Sequence, residues 1–388
     1  MSSKNSETPL KDRIDWVTVI VPFLAILALC VCFILMPDAS KSVLDTIRFI
    51  LGDTFGLFYL AVGLFVFLLS LYLAFSRFGT IRLGKPDEKP KYPLFVWASM
   101  MFTSGLAADI LFYSFCEWIL YANDPHISEM GSMQTWSSTY PLFHWCPIPW
   151  AFYLVLAVSF GFMLHVRVCH KQKYSEACRA LLGNRVDGVP GKLIDLLALF
   201  ALLAGTTTTF ALATPLMSQV LTTLFHLPSS KWITIAILGV TCLSFIILGN
   251  YSLGLQVSGK LDVMAIYAAG NDLYTTIISI IQTLPLAPLV LVLLIVAMVA
   301  FYATSFDSIA LVASSYTYRQ ITGDEEPHNA VKAFWAIMLI LLPMALVFSD
   351  SSMANLQSVS IIAAFPVAFV ILLIIASFLK DASDYLKS

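Results

Sequence analysis

Two carboxylates, Asp109 and Glu117, lie in the stretch MFTSGLAADILFYSFCEWILY (101–121), which is otherwise fit for hydrocarbon. On a helix their spacing is close to two turns, roughly 12 Å along one face. An ionised carboxylate in such a segment must face a wet or protein-lined interior, or take up a proton. Asp109 is therefore read as a group on a cation path and Glu117 as a structural or gating carboxylate. The same pair also fits plain hydrogen bonding between packed helices. Further on, PLFHWCPIPWAFY (141–153) sets Trp145 and Trp150 around Pro147 and Pro149. An indole face attracts a cation that has no hydrogen-bond donors, and desolvation strengthens the attraction. An interfacial anchor is the alternative for either ring. A third group, Thr304, Ser305, Asp307 and Ser308, puts hard oxygens into one short stretch of FYATSFDSIALVASSYTY (301–318). Sodium prefers such oxygens, and hydroxyl bonding back onto the helix is the alternative.

The elements that must carry these residues follow from a bilayer ruler of about 20 apolar residues per helix. It marks Trp16–Leu35, Phe55–Ala74, Pro93–Tyr121, Ile148–Val168, Leu193–Leu221, Trp232–Leu248, Pro288–Tyr316, Val331–Phe348 and Val359–Leu379. A further stretch, Met264–Leu284, is interrupted by Gly270, Asn271 and Asp272 and reads as a span, a re-entrant piece or a connector. Thr206, Thr207, Thr208 and Thr209 fall inside the fifth span, where they serve packing or line an aqueous route.

Composition agrees with lipid as the solvent. The 388 residues are 59% hydrophobic and only 12% charged, with a mean hydropathy of +0.84. Soluble domains carry about 25% charged residues. A net charge of -2 gives no basic field for nucleic acid. The seven cysteines show no paired ligand spacing, so no metal site is assigned and they read as small packed hydrophobes. Neither a phosphate-binding glycine loop, an HExxH motif nor a nucleophile elbow is present, and the chain is not read as an enzyme.

Basic residues orient the spans. The amino-terminal tail carries Lys4, Lys11 and Arg13, the second connection Arg77, Arg82, Lys85, Lys89 and Lys91, and the fourth Arg167, Lys171, Lys173, Arg179, Arg185 and Lys192. These belong in the cytoplasm. Nine crossings would then put Arg319, Lys332 and Lys380 outside, against the same rule. Either Met264–Leu284 also spans, or the second half lacks an odd number of helices.

The ordered series Met101–Tyr121, Phe143-His144-Trp145, Pro149-Trp150-Ala151, Gly205–Leu216, Leu284-Pro285-Leu286, Thr304-Ser305-Phe306-Asp307-Ser308 and Gly323-Asp324-Glu325-Glu326-Pro327 resembles the betaine/choline/carnitine transporters. The loops and final helices are most similar to the carnitine branch. The resemblance implies an all-α polytopic protein of the bacterial inner membrane, commonly a homotrimer, with two inverted repeats behind two additional amino-terminal helices. Residues 1–92 would hold the tail and the two peripheral helices, 93–256 a partial first repeat, and 257–388 the remainder of the second. It further implies transport of choline, carnitine or betaine, by symport or antiport, with no cofactor beyond a coupling proton or sodium ion. Trp145 carries over onto the family's aromatic box. The ring expected on the third helix falls at Leu120, leaving Trp118 or Tyr121 to compensate. Asp109 replaces a family glycine, which tilts the substrate toward choline and the coupling toward protons. Thr304 and Ser305, with Asp307 beside them, match the sodium-site hydroxyls.

One departure stands out. Gly254-Leu255-Gln256 is followed almost directly by residues that in the family precede the tenth helix, and no tryptophan occurs between Trp232 and Trp335. An incomplete inverted-repeat fold lacking three helices is the reading. Its alternative in function is a transport-inactive deletion variant with only a structural or membrane-interaction role.

Overall fold

The computed structural model describes residues 10–84, 92–95, 108–145, 147–169, 171–225, 254–270, 273–319, 326–348 and 353–387. Helices dominate them: α1 (Trp16–Leu35), α2 (Pro37–Arg48), α3 (Gly56–Phe75), α4 (Ala108–Ala122), α5 (Met133–His144), α6 (Pro147–Gly161), α7 (Val189–Phe225), α8 (Val263–Gly270), α9 (Leu273–Gln282), α10 (Ala287–Thr317), α11 (Asn329–Phe348) and α12 (Met353–Tyr385). The sixth candidate span, Trp232–Leu248, lies outside the described residues. Among those described, five helices are long and apolar enough to cross a membrane: Trp16–Leu35, Gly56–Phe75, Pro147–Val166, Val189–Thr207 and Ser358–Tyr385. The stretch Met264–Leu284 contains α8 and α9, of 8 and 10 residues. Neither alone reaches across a hydrocarbon core, because 10 residues of helix span only about 15 Å.

Local sequence explains where the first helices begin and end. Asp15 caps α1 by accepting from the Val17 amide, so the apolar run starts with a satisfied first turn. Pro37 opens α2 immediately after α1 stops at Met36, a position where its missing N–H leaves no bond unmade. This second helix is polar and largely exposed, burying only Leu44, and it packs on α12.

The chain forms two compact units. In the first, made of 1–90, 147–207 and 308–388, α3 packs on α6 and α12. Val66, Leu69 and Leu73 meet Val155, Phe162, Ile375 and Phe378. Gly63 permits this approach, since a Cβ there would stand 3.0 Å from Ile148. Helix α1 packs along α11, where Trp335 is fully buried and donates its indole N–H to Thr317 at 2.6 Å.

The same unit gathers chain segments that are distant in sequence. The Asp15 amide donates to the Thr317 carbonyl at 2.7 Å, the Arg319 amide to the Arg13 carbonyl at 2.9 Å, and Ile14 bridges Tyr318. Lys173 donates to the Tyr316 carbonyl at 3.0 Å, while Asp195 accepts from the Ser175 amide and hydroxyl at 3.0 and 2.9 Å. Arg167 pairs with Asp381 at 2.5 Å, Lys380 donates to the Ala180 carbonyl at 2.6 Å, and Arg77 donates to Ser383 at 2.9 Å. The ends of α7, α10 and α12 are thereby tied to the fourth connection, and the start of α1 to the end of α10, by direct bonds.

The second unit, made of 91–146 and 208–307, contains α4 and α5 packed on each other, with α9 also against α4.

Candidate functional site

Glu117 is the chemical centre of the second unit. It is 4% exposed, and both of its oxygens are engaged. Oε2 accepts the Trp145 indole N–H at 2.6 Å, and Oε1 lies 2.5 Å from His144 Nδ1. The Tyr121 hydroxyl donates to Oε1 at 3.3 Å. Where the carboxyl is ionised it only accepts, and His144 then carries a proton on Nδ1, as the neutral tautomer or as imidazolium; where it is protonated, it can donate to that nitrogen instead. Hydrogen bonds to a charged group contribute about 1.5–3 kcal/mol each, roughly twice a neutral pair.

Helix periodicity brings the donors together. Tyr113, Glu117 and Tyr121 follow one another at i,i+4 on α4 and so share a face. Helix α5 lies against that face, and Trp145 extends its last turn, its amide donating to the Pro141 carbonyl at 3.0 Å. Aromatic rings complete the surroundings. Trp145 lies 6.4 Å from Tyr113, and Tyr121 lies 5.3 Å from Tyr140, which is itself 6.4 Å from Trp136. The His144 ring lies 4.9 Å from the Trp145 ring, inclined by 33°.

A carboxylate beside indole and phenol faces has the chemistry of a site for an organic cation. In such a site the carboxylate would meet the charge and the rings the alkyl surface. Of the residues singled out from sequence, Glu117, Tyr121 and Trp145 come together here. Trp118 is buried one residue along and donates its indole N–H to the Phe115 carbonyl at 3.2 Å. Trp150 belongs to the other unit, where it is exposed on α6 and lies 5.8 Å from Tyr153. Asp109 is in the first turns of α4, and Thr304, Ser305 and Asp307 are in α10; their side chains lie outside the described residues. His144, Tyr113 and Tyr140 are contributors that sequence reasoning did not select. The i,i+4 tyrosines on either side of Glu117 were the available signal.

In the first unit, a second polar cluster lies on the fourth connection. Glu176 pairs with Arg179, which also reaches Asp187 at 2.9 Å, and Lys171 adds a contact to Asp187 at 3.1 Å. Hydrogen bonds from Arg179 and then Lys171 hold the Asp187 carboxyl down at about 2. Burial pushes Glu176 up, but hydrogen bonds from Arg179 and Cys169 outweigh it and leave it below the usual range. Burial likewise lowers Lys173, against the attraction of Asp195. These groups hold segments together, and Glu176 and Arg179 also line a cavity with Arg167, Cys169 and Asp381.

Comparison with known proteins places this sequence in a lineage. The sequence profile of the betaine/carnitine/choline family transporters, BCCT, matches residues 17–244 and 238–387. The glycine betaine transporter OpuD of Bacillus subtilis is 30% identical over 247 residues, 63% of this chain and 47% of that protein. The high-affinity choline transport protein of Escherichia coli is 25% identical over 260 residues, 65% of this chain and 38% of its own length. A carnitine transporter of Acinetobacter baumannii is 21% identical over 479 residues, covering 90% of this chain and 87% of that protein. In the first two of these matches, the chain spans less than half of the relative's length. With a profile match across nearly the whole sequence, this chain belongs to the betaine/carnitine/choline transporter family.

Proposed function

We propose that the chain is a multi-pass secondary transporter of quaternary ammonium compounds in the bacterial inner membrane, with choline favoured over carnitine and betaine. The observation that carries this reading is the buried Glu117 carboxylate held between His144 and Trp145, with Tyr113 and Tyr121 on the same helix face. A quaternary ammonium has no N–H to donate, so it is recognised by an anion and by π faces, both of which are supplied here. A zwitterionic betaine or carnitine brings its own carboxylate and would need a further cationic partner. Asp109 and the α10 oxygens Thr304, Ser305 and Asp307 are the proposed proton- or sodium-coupling groups. Residues 93–256 and 257–388 are the proposed partial repeats, behind the two peripheral helices of 1–92, and the assembly proposed is a homotrimer.

The hydrogen bond from Arg319 to Arg13 supports a topology with both residues on one side of the bilayer. The chain between them then crosses an even number of times. Among the described residues, the helices beginning at Trp16, Gly56, Pro147 and Val189 are long and apolar enough to be four of these crossings. The sides disfavoured by the basic-residue rule, which a count of nine gave to Arg319 and Lys380, are removed by this arrangement.

A transport-inactive deletion variant is the second reading. Two observations favour it: the family profile matches in two segments that meet at 238–244, and the carnitine-transporter alignment runs over 479 residues, longer than the 388-residue chain. Both point to relatives' residues with no counterpart inside this chain. Uptake of labelled choline, carnitine and betaine into proteoliposomes, under imposed proton and sodium gradients, separates the readings. Saturable choline uptake supports the transporter, and no saturable uptake by well-folded protein leaves the inactive variant. If uptake is proton-driven, Asp109→Asn weakens that dependence; unchanged dependence removes Asp109 from coupling.

A further inference from the structure

His144 occupies both halves of the cation site at once. Its Nδ1 lies 2.5 Å from the Glu117 carboxylate, and its ring lies 4.9 Å from the indole of Trp145, inclined by 33°. Those are the two contacts an organic cation would make here, to the anion and to the π face. A protonated imidazole satisfies both as a cation over a ring, because the attraction acts within about 6 Å of the ring centroid. The histidine side chain is itself 53% exposed, while its Nδ1 stays on the carboxylate.

We propose that His144 is a tethered competitor for the substrate cation, so that one quaternary ammonium enters as one proton leaves the imidazolium to water. This rests on the transport reading and deepens it by assigning cation-for-proton exchange at the Glu117–His144–Trp145 site. With His144 protonated, Glu117 has its counter-ion and the indole face is covered. Once the proton is lost, the carboxylate is left with neutral donors only. A quaternary ammonium then restores the charge balance and displaces the ring from the indole. The net charge of the site is the same before and after exchange, which matters where an uncompensated charge costs several kcal/mol.

Histidine is the side chain that ordinarily changes charge between about pH 5 and 8, whereas phenols and thiols ordinarily keep their protons through most of that range. Facing the dyad are Cys116, Tyr113 and Tyr121 from α4 and Tyr140 from α5. The adjoining elements add Asp124, His126 and Glu129 from the short helix and its cap, and Tyr274 from α9. His126 is the other imidazole of this segment and is exposed, so it provides the control.

The test is isothermal titration of purified protein with choline from pH 5 to 8, in pairs of buffers with different ionisation heats so that released protons are counted. Expected for the native chain is affinity that weakens about tenfold per pH unit on the acid side, with close to one proton released per choline there. Expected for His144→Gln is choline binding with one affinity across the range and no proton release, while His126→Gln behaves as the native chain. Retention of both the pH dependence and the proton release in His144→Gln overturns the exchange and leaves the transport reading standing. So does pH-independent binding by the native chain. Absence of choline binding at every pH in both proteins overturns the transport reading and the exchange with it.

Discussion

Replacing Lys173 by Met should destabilise the first unit by about 2–3 kcal/mol, a value that follows from what the substitution leaves behind. Lys173 and Asp195 are buried, with side chains 13% and 8% exposed, and their charged atoms lie 3.9 Å apart. Methionine retains most of the apolar stem but removes the ammonium. The Asp195 carboxylate then has no cation, and the Tyr316 carbonyl loses a donor at 3.0 Å. Breaking a fully buried pair from one side costs about 3–5 kcal/mol. The lower figure applies because the contact is long and Asp195 retains both Ser175 donors. The paired change Lys173→Met with Asp195→Asn removes both charges, so it should recover about 1–2 kcal/mol relative to the sum of the single variants. Reversible unfolding in mixed micelles, followed by tryptophan fluorescence, measures all three. A single-variant loss under about 0.5 kcal/mol, or strict additivity of the two changes, would refute the view that this pair fastens the end of α10 to the start of α7.

Three further outcomes follow from the same structure. Gly191→Ala should lower thermal stability although alanine is the better helix former by about 1 kcal/mol, because its Cβ would fall against the Val186 carbonyl; an unchanged or raised melting temperature counts against the close approach. Asp187, held at about 2 against an ordinary 3.8, contributes stability that is fully present above 3.8 and is lost as pH falls through about 2. Its exposure keeps the effect small, and Arg179→Met should flatten the acid limb of a stability–pH curve between those values. Cysteines placed at Lys11 and Arg319 should react with an impermeant maleimide from the same side of sealed vesicles, given the Arg319–Arg13 bond; labelling from opposite sides would break the even-crossing argument.

Much of the helix layout was legible in the sequence. The expected first span coincides with α1, and those at Phe55–Ala74 and Ile148–Val168 lie within two residues of the helices Gly56–Phe75 and Pro147–Val166. The ruler works there because uninterrupted apolar residues in lipid leave the backbone no alternative to helix. It fails at ends that leave the hydrocarbon. Helix α12 runs to Tyr385 rather than Leu379, its last turns held by the Arg167–Asp381 and Lys380–Ala180 contacts. It also misses α5, whose polar sequence MQTWSSTYPLFH has no apolar run and is held by packing on α4. In the candidate site, Glu117 and Trp145 stood out by residue type. Their bond did not, since 28 residues separate them and no local period encodes the contact. His144 reads as a boundary residue until the carboxylate is seen against it.

The central claim, that the Glu117–Trp145 pair binds a quaternary ammonium, is tested most directly by choline titration of the native chain beside Trp145→Leu, at a pH where the native affinity is greatest. The account predicts saturable binding that weakens at least tenfold, about 1.4 kcal/mol, when the indole is removed. Equal choline affinity in the two proteins, with both folded by circular dichroism, would contradict it.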